Sequence, residues 1–588
     1  MANKKALLGG ASIKVENMSG FDKSGFNAFT APLGAIVPMR KQLMLPGKFK
    51  LSVKLSAQLP PLATDAFLRT HLKVEAFLVP MRLCYGGYQS WFAGEPIVSA
   101  TSSTTDPFDP NTASLTRSKL CRIEVTKPSP DSDHGITTDT CTDFMNHIFG
   151  PHTLMDYFGV KWPLDSNGDA NFGLWPNSVS ADKTQYFNAF PFLAYQLCYH
   201  HYYRNKNIER PLFAPPSFAD EAHWNYDFAA HWPYIGRASW FNAQYELHYD
   251  TDTSSVEFFK RSAHLLNGDL LQLRYRNYGY DYFTTALPSA QEGSPMSVDT
   301  SGGSFTISSL RAQNALQHFA EVNQLSSPDY VATVKARYGT DVSMGVAQKP
   351  ILLGSADFPM FTSGVEQTAA DTGSYQNPFT GMAARFGRAH AEGNDFVCEA
   401  NVSEPSYLLV MCSVVPEANY ANGIQHDMRI FTQEGCLVDL PVASLEQVGY
   451  EPIYREELAD PGLNNPQYNI FGYQPRYMWH KAGGAGNEVH GLFRYNSSLA
   501  SFIPQRLLGF VGHVPVPQID TEFLKVNPDD LDNVMAVSGS LSKYGVMIDS
   551  FISLKVVEPL GESALPSLVD PAYEHGKSIY LSRGAGLE

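Results

Sequence analysis

Histidines, carboxylates and lysines are the residues of this 588-residue chain best suited to chemistry, and few of them stand at an informative spacing. His575, Gly576, Lys577 and Ser578 resemble the end of a phosphate-binding loop, but the glycine needed five residues before Gly576 is Pro571. That motif fails. His200 with His201, and His223 with His231, could ligate a metal, yet adjacent histidines on a strand point to opposite faces and no cysteine or carboxylate recurs at ligand spacing. A structural or surface role is expected for them, with no metal site and no cofactor. The 59 acidic residues must place some carboxylates close together, which leaves a glycosidase-like pair open without selecting one. Spacings of the G-x-S-x-G, H-E-x-x-H and EF-hand types are missing. No catalytic residues are assigned.

Lysines carry a clearer pattern. Residues 1–60 hold nine basic groups, including Lys4, Lys5, Lys14, Lys48, Lys50 and Lys54, against Glu16 and Asp22, a surplus of seven positive charges. The remaining 528 residues hold 34 basic and 57 acidic groups, so a basic segment is joined to an acidic body. One end is expected to face a polyanion, with chance basicity of a terminal tail as the alternative. Aromatic residues concentrate between 199 and 250, where Trp224, Tyr226, Trp232, Tyr234 and Trp240 stand in a polar frame. Three roles suit them: packing within a large loop, a sugar or receptor surface, or stacking against unpaired bases.

The elements that must position these residues follow from composition and period. With 44% hydrophobic and 17% charged residues, a disordered or coiled-coil chain is excluded. The 45 glycines and 39 prolines suit short strands joined by turns and long loops. Tyr407 to Val415 is the longest near-apolar run, under half of the roughly 20 residues of a membrane-spanning helix. No transmembrane segment and no secretion signal are expected. Cys84, Cys121, Cys141, Cys198, Cys398, Cys412 and Cys436 are odd in number and lack a C-x-x-C pair, which points to a reduced, cytosolic origin.

From Lys48 to Leu59, Phe49, Leu51, Val53, Leu55, Ala57 and Leu59 alternate with polar residues, the signature of a half-buried strand. Further strands are expected at His71 to Val79, Phe396 to Val402, Ser406 to Val415 and Val546 to Val556. Strands thus cluster in 46–80 and 395–560, and distant parts of the chain must pair. Helices are expected at Arg311 to Gln324 and Pro328 to Tyr338, the second with Gly339 after its end. Residues 100–150 and 212–280 read as candidate surface insertion loops, and residues 1–45 as a basic N-terminal arm.

Four segments, in order, resemble the major capsid protein of the Microviridae, and particularly its gokushovirus-like branch. They are residues 19–83, from SGFNAFTAPLGAIVP to AFLVPMRL; AFPFLAYQLCYHHYYRNKNI at 189–208; DYFTTALPSAQEG at 281–293; and NIFGYQPRYMWHKAGGAGNEVHGLFR at 469–494. The chain departs from the family pattern at Lys48, Tyr477, Met478 and Ala286, which bears on the subfamily.

The resemblance implies a mainly β fold: an eight-stranded antiparallel jelly roll of viral capsid type, a single capsid domain with long loop insertions containing short helices. Sixty copies would form a T=1 icosahedral shell around a single-stranded DNA genome. It further implies a virion assembled in the bacterial host cytoplasm, without enzymatic activity. Partners would be a small basic DNA-binding protein, a minor capsid or pilot protein, a scaffolding protein and a host cell-surface receptor. Lys4, Lys5, Lys14, Lys48, Lys50 and Lys54 are the candidate DNA-facing residues, and the five aromatics from Trp224 to Trp240 the candidate host-facing ones. The contrasting reading is a β-rich carbohydrate-active enzyme or a lectin-like binding protein.

Overall fold

The computed structural model describes residues 19–84, 88, 92, 122–130, 136–166, 168–171, 184–209, 212, 242–250, 255–262, 270–289, 311, 330–343, 348–366, 385–430, 450–458, 470–475, 477–481, 488–494, 497–506, 508 and 519–559. The strands, in chain order, are β1 (Ser19–Asp22), β2 (Gly25–Ala31), β3 (Val37–Met44), β4 (Gly47–Gln58), β5 (Thr70–Pro80), β6 (Arg122–Thr126), β7 (Thr184–Asn188), β8 (Asn242–Asp250) and β9 (Ser255–Ser262). They continue with β10 (Ile351–Pro359), β11 (Phe361–Glu366), β12 (Arg385–Val402), β13 (Ser406–Pro416), β14 (Tyr450–Tyr454), β15 (Ile470–Pro475) and β16 (Val546–Glu558).

Two of the sheets form the core. The first runs β1, β16, β4, β12, β11, with β2 also paired to β16, and the second runs β10, β5, β13, β3. Every pairing in both is antiparallel. Short connections pass the chain from one sheet to the other between β3 and β4, β4 and β5, β10 and β11, and β12 and β13. Phe396–Val402 and Ser406–Val415 are therefore consecutive without being partners. Pro405 ends one strand, and Glu404 accepts two hydrogen bonds from Arg82 Nε at 3.0 and 2.9 Å, which holds the crossing.

Alternation decides the first sheet. In β4, Phe49, Leu51, Val53, Leu55 and Ala57 are buried, while Lys48 and Lys54 are exposed. In β16, Ile548, Ile552, Leu554 and Val556 are buried in the same cluster as Leu72, Val74 and Ala76 of β5 and Leu408, Val410 and Cys412 of β13. The inner faces of the two sheets thus share one core.

The centre of the second sheet is covered on both sides. All eleven residues of β13 are buried. Its other face, with Tyr407, Leu409 and Met411, packs into a second cluster with helices α1 (Thr138–Phe149) and α2 (Phe190–Cys198). Helix α1 starts at Thr137, whose hydroxyl accepts from the Thr140 amide at 3.2 Å, and buries Cys141, Phe144, Met145, Ile148 and Phe149 on one stripe.

These helices alter the expected layout. Within 100–150, β6 buries Ile123 and Val125, and α1 follows it, so this part of the insertion is core against β13. Its apolar spacing was outweighed by the Ser, Thr, Asp and Pro content of the preceding residues, which lie outside the described set. Within 212–280, β8 and β9 pair as a hairpin and Leu270, Leu271, Arg274 and Tyr278 are buried. Residues 19–44, expected within the basic arm, form β1 to β3, because Ala31, Leu33, Ala35, Ile36, Val37 and Met39 bury apolar surface. Strands also occur at 351–366, between the two expected clusters.

Helix α3 (Tyr330–Tyr338) ends at Gly339, whose φ of +67° is the left-handed conformation expected there. The helix expected at 311–324 lies outside the described residues except for Arg311. Among the described residues no helix is long and apolar enough to cross a membrane.

Gly47 opens β4 where the backbone of β16 crosses closely. A Cβ there would stand 2.0 Å from the Val557 carbonyl oxygen. Gly47→Ala is expected to lower stability by about 2 kcal/mol, the usual cost of forcing atoms into a packed site, measured by chemical unfolding of the purified chain.

Candidate assembly and genome-facing surfaces

The outer face of the first sheet carries Lys48, Lys50 and Lys54, because residues alternate across β4 and Phe49, Leu51 and Val53 take the inner side. Strand register adds the neighbours. Lys555 of β16 lies opposite Lys50, and Phe551 opposite Lys54. Phe26 of β2 lies opposite Phe551, with ring centroids 4.8 Å apart, and is 81% exposed. Acidic residues share this face. Glu399 of β12 pairs with Lys50 at 2.9 Å, and Asp22 of β1 lies opposite Lys555. Lys48 instead lies between Val557 and Asn401. The face is therefore a mixed one, in which Lys48 and Lys54 project beside apolar or neutral neighbours and Lys50 beside a carboxylate.

The remaining sequence candidates fall elsewhere. Lys4, Lys5 and Lys14, and also Trp224, Tyr226, Trp232, Tyr234 and Trp240, lie outside the described residues, as do His223 and His231. In the described part of the aromatic stretch, packing is the role found: Tyr199 and Tyr203 are buried, and the Tyr199 hydroxyl donates to Glu209 at 2.6 Å. His200 and His201 sit in a π-helical turn after α2, with rings 4.9 Å apart, rather than on a strand. Among the described residues no group of three His, Cys, Asp or Glu is arranged to hold a metal ion.

The described cysteines, Cys84, Cys141, Cys198, Cys398 and Cys412, are free and buried. Burial raises the Cys198 and Cys412 thiols, and burial together with the Glu399 charge pushes Cys398 up to about 11. These groups stay protonated at neutral pH, which suits packing rather than nucleophilic chemistry.

A separate cleft had no signal in the sequence. It is a cavity of about 820 Å³ between the loop after β13 and the segments around Glu457, Trp479 and Glu488. His426 Nδ1 lies 3.1 Å from Glu457 Oε1, and its ring stacks on Trp479 at 5.7 Å. Glu457 Oε1 also accepts from the Tyr454 amide at 3.0 Å. Arg429 Nε lies 2.5 Å from Glu456 and the guanidinium packs 4.0 Å over the Tyr454 ring. Gly423 makes the tight approach possible, since at φ +108° a Cβ would stand 2.0 Å from the Glu457 carbonyl oxygen. Nothing in the spacing of the adjacent Glu456 and Glu457 indicates what faces them.

With this geometry in place, comparisons with known proteins show what the chain is similar to. A family model described as "Capsid protein (F protein)" matches residues 296–567. That match covers a little under half of the chain, in its C-terminal part. Among relatives, the capsid protein VP1 of Chlamydia phage 1 is 22% identical across 94% of this chain and 95% of its own length. The capsid protein VP1 of Spiroplasma virus 4 is 24% identical over 45% of each chain. The family match covers β10 to β16, while the alignment with the Chlamydia phage 1 protein extends over most of the chain.

The cleft gives the protein a pH-dependent contribution to stability. Burial disfavours the charged His426 ring, but the hydrogen bond to Glu457 and the charges of Glu457 and Glu451 outweigh it, raising the pKa above the ordinary 6.5. A raised folded-state value stabilises the fold fully below 6.5, and the contribution is lost as pH rises through the raised value. His426→Gln is expected to cost roughly 1 kcal/mol near pH 5.5 and little near pH 8.5, after solvent screening. Melting temperatures of the two proteins across that range provide the check.

Proposed function

We propose that this chain is the structural major capsid protein of a small single-stranded DNA phage of the Microviridae type, with no catalytic role. Sixty copies close a T=1 icosahedral shell, with an eight-stranded jelly roll drawn from the ten strands of the two core sheets. The observation that carries the reading is the alignment with a phage capsid protein over 94% of the chain. The architecture supports it: the chain alternates between two antiparallel sheets, and its insertions add a second core on the outside of one of them. Subunits would hold together by modest contacts multiplied over a closed shell.

Lys4, Lys5, Lys14, Lys48, Lys50 and Lys54 are assigned to the genome side. Lys54, beside the Phe551 and Phe26 rings, combines a cation with exposed aromatic surface, the pairing that unpaired bases favour. Lys50 is the weakest of the set, because Glu399 already neutralises it. The stretch containing Trp224, Tyr226, Trp232, Tyr234 and Trp240 is assigned to the outer surface and contact with a host receptor. Further partners are a small basic DNA-binding protein, a minor capsid or pilot protein and a scaffolding protein.

Electron microscopy of the purified protein is expected to show closed shells of small-phage size, and a 65.0 kDa monomer with glycosidase activity would overturn the reading. Particles with Lys4, Lys5 and Lys14 changed to Glu are expected to package less DNA and to lose it at lower salt. Normal packaging with unchanged salt stability would remove these lysines from the genome side.

A further inference from the structure

The cleft described above has the construction of a binding site. Its charged lining is Asp427, Glu457 and Glu488 against Arg494 and the His426 ring paired with Glu457, a net negative wall. Two lining groups in its floor are left unsatisfied. Glu457 is 5% exposed and its Oε2 has no hydrogen-bond partner; Tyr282 is 4% exposed and its hydroxyl has none either. Leaving a buried carboxylate oxygen unpaired is costly, so such a group is expected to meet a donor in the working molecule. Arg429 does not provide it. Its short contact is to Glu456, and its approach to Glu457 is 3.6 Å, on the Oε1 side.

We propose that this cleft binds an aliphatic ammonium group, as carried by a lysine side chain or a free amine. An ammonium has donors and no acceptor, which matches the free carboxylate oxygen and the phenol oxygen. Its positive charge matches the net negative lining, and the Trp479 ring on the wall adds aromatic surface of the kind that attracts cations. An aliphatic stem fits the mouth, where Met428 lines the cleft and is 68% exposed. A neutral alcohol would lack both the charge and the extra donors. The site lies within one subunit, so the proposal stands apart from shell formation.

Calorimetric titration of the full chain with n-butylammonium chloride, with n-butanol and sodium chloride as controls, reads the site. Saturable binding of n-butylammonium alone is expected, weakened by about tenfold or more in Glu457→Gln. No saturable heat, equal uptake of n-butanol, or an unchanged affinity in Glu457→Gln would overturn the proposal. Should Glu457→Gln not fold, Tyr282→Phe takes its place, because the hydroxyl it removes bonds nothing else in the fold. A weaker affinity at an unchanged melting temperature supports the site, and an unchanged affinity overturns it. A lysine blocked at both termini separates the sources: binding at least as tight as n-butylammonium marks a protein side chain, and exclusion while n-butylammonium still binds marks a free amine.

Discussion

Pairing between β4 and β16 is the constraint on which the rest of the structure depends. Eleven consecutive residues of β16, Met547 to Val557, find partners from Gln58 back to Lys48. The same strand holds β1 and β2 on its other edge, and β4 holds β12. Beyond the ladder, Glu558 is buried and accepts from Lys23 Nζ at 2.7 Å and from the Leu45 amide at 3.3 Å, tying both ends of the chain together across 535 positions. Closing so long a loop costs about 6 kcal/mol by ideal-chain entropy, because the penalty grows only with the logarithm of length. Burying Phe49, Leu51, Val53 and Leu55 of β4 returns roughly 6 to 12 kcal/mol at about 1.5 to 3 each. The closure is therefore affordable only because the strand's inner face is apolar along its whole length.

Once the ends are joined, the intervening chain can be long without weakening the core. The insertions use that freedom to cover the outside of the second sheet, where α1, α2, β13 and β5 form a separate apolar cluster. The centre of one sheet is thereby buried on both sides, while the other sheet keeps an exposed face of lysines, acids and a tilted phenylalanine pair. For a shell subunit this asymmetry matters, since an open polar face and a covered face offer different chemistry to genome, neighbours and host.

Some of this was legible in residue order. The strict alternation from Phe49 to Ala57 and from Val546 to Val556 identified both halves of the central pair and the face each would bury. The unbroken apolar run of β13 also matched a strand, but its meaning was hidden: a run without alternation reports two covered faces without saying what covers them. The cover includes α1, whose stripe of Cys141, Phe144, Met145, Ile148 and Phe149 follows a polar segment that drew the eye to a surface loop. The lysines of β4 were equally visible, whereas the neutralising role of Glu399 was not, because it comes from a strand about 350 positions away and depends on register.

The cleft shows the same division from the opposite side. Its groups come from the loop after β13, from Tyr454 to Glu457 and from the segments near Trp479 and Glu488, with Tyr282 approaching from another part of the chain. None has a neighbour in sequence that would mark it. By itself the sequence determined that β4, β5, β13, β16 and the end of β12 are strands, which faces of β4 and β16 are apolar, and the capsid family that the ordered segments resemble. Tertiary structure alone decided which strands exchange partners, what covers the second sheet, which lysine is neutralised and which carboxylate oxygen is left without a donor. The reason is physical: periodicity is a local property of the chain, whereas register, burial of a second face and hydrogen-bond satisfaction are properties of residues brought together from far apart.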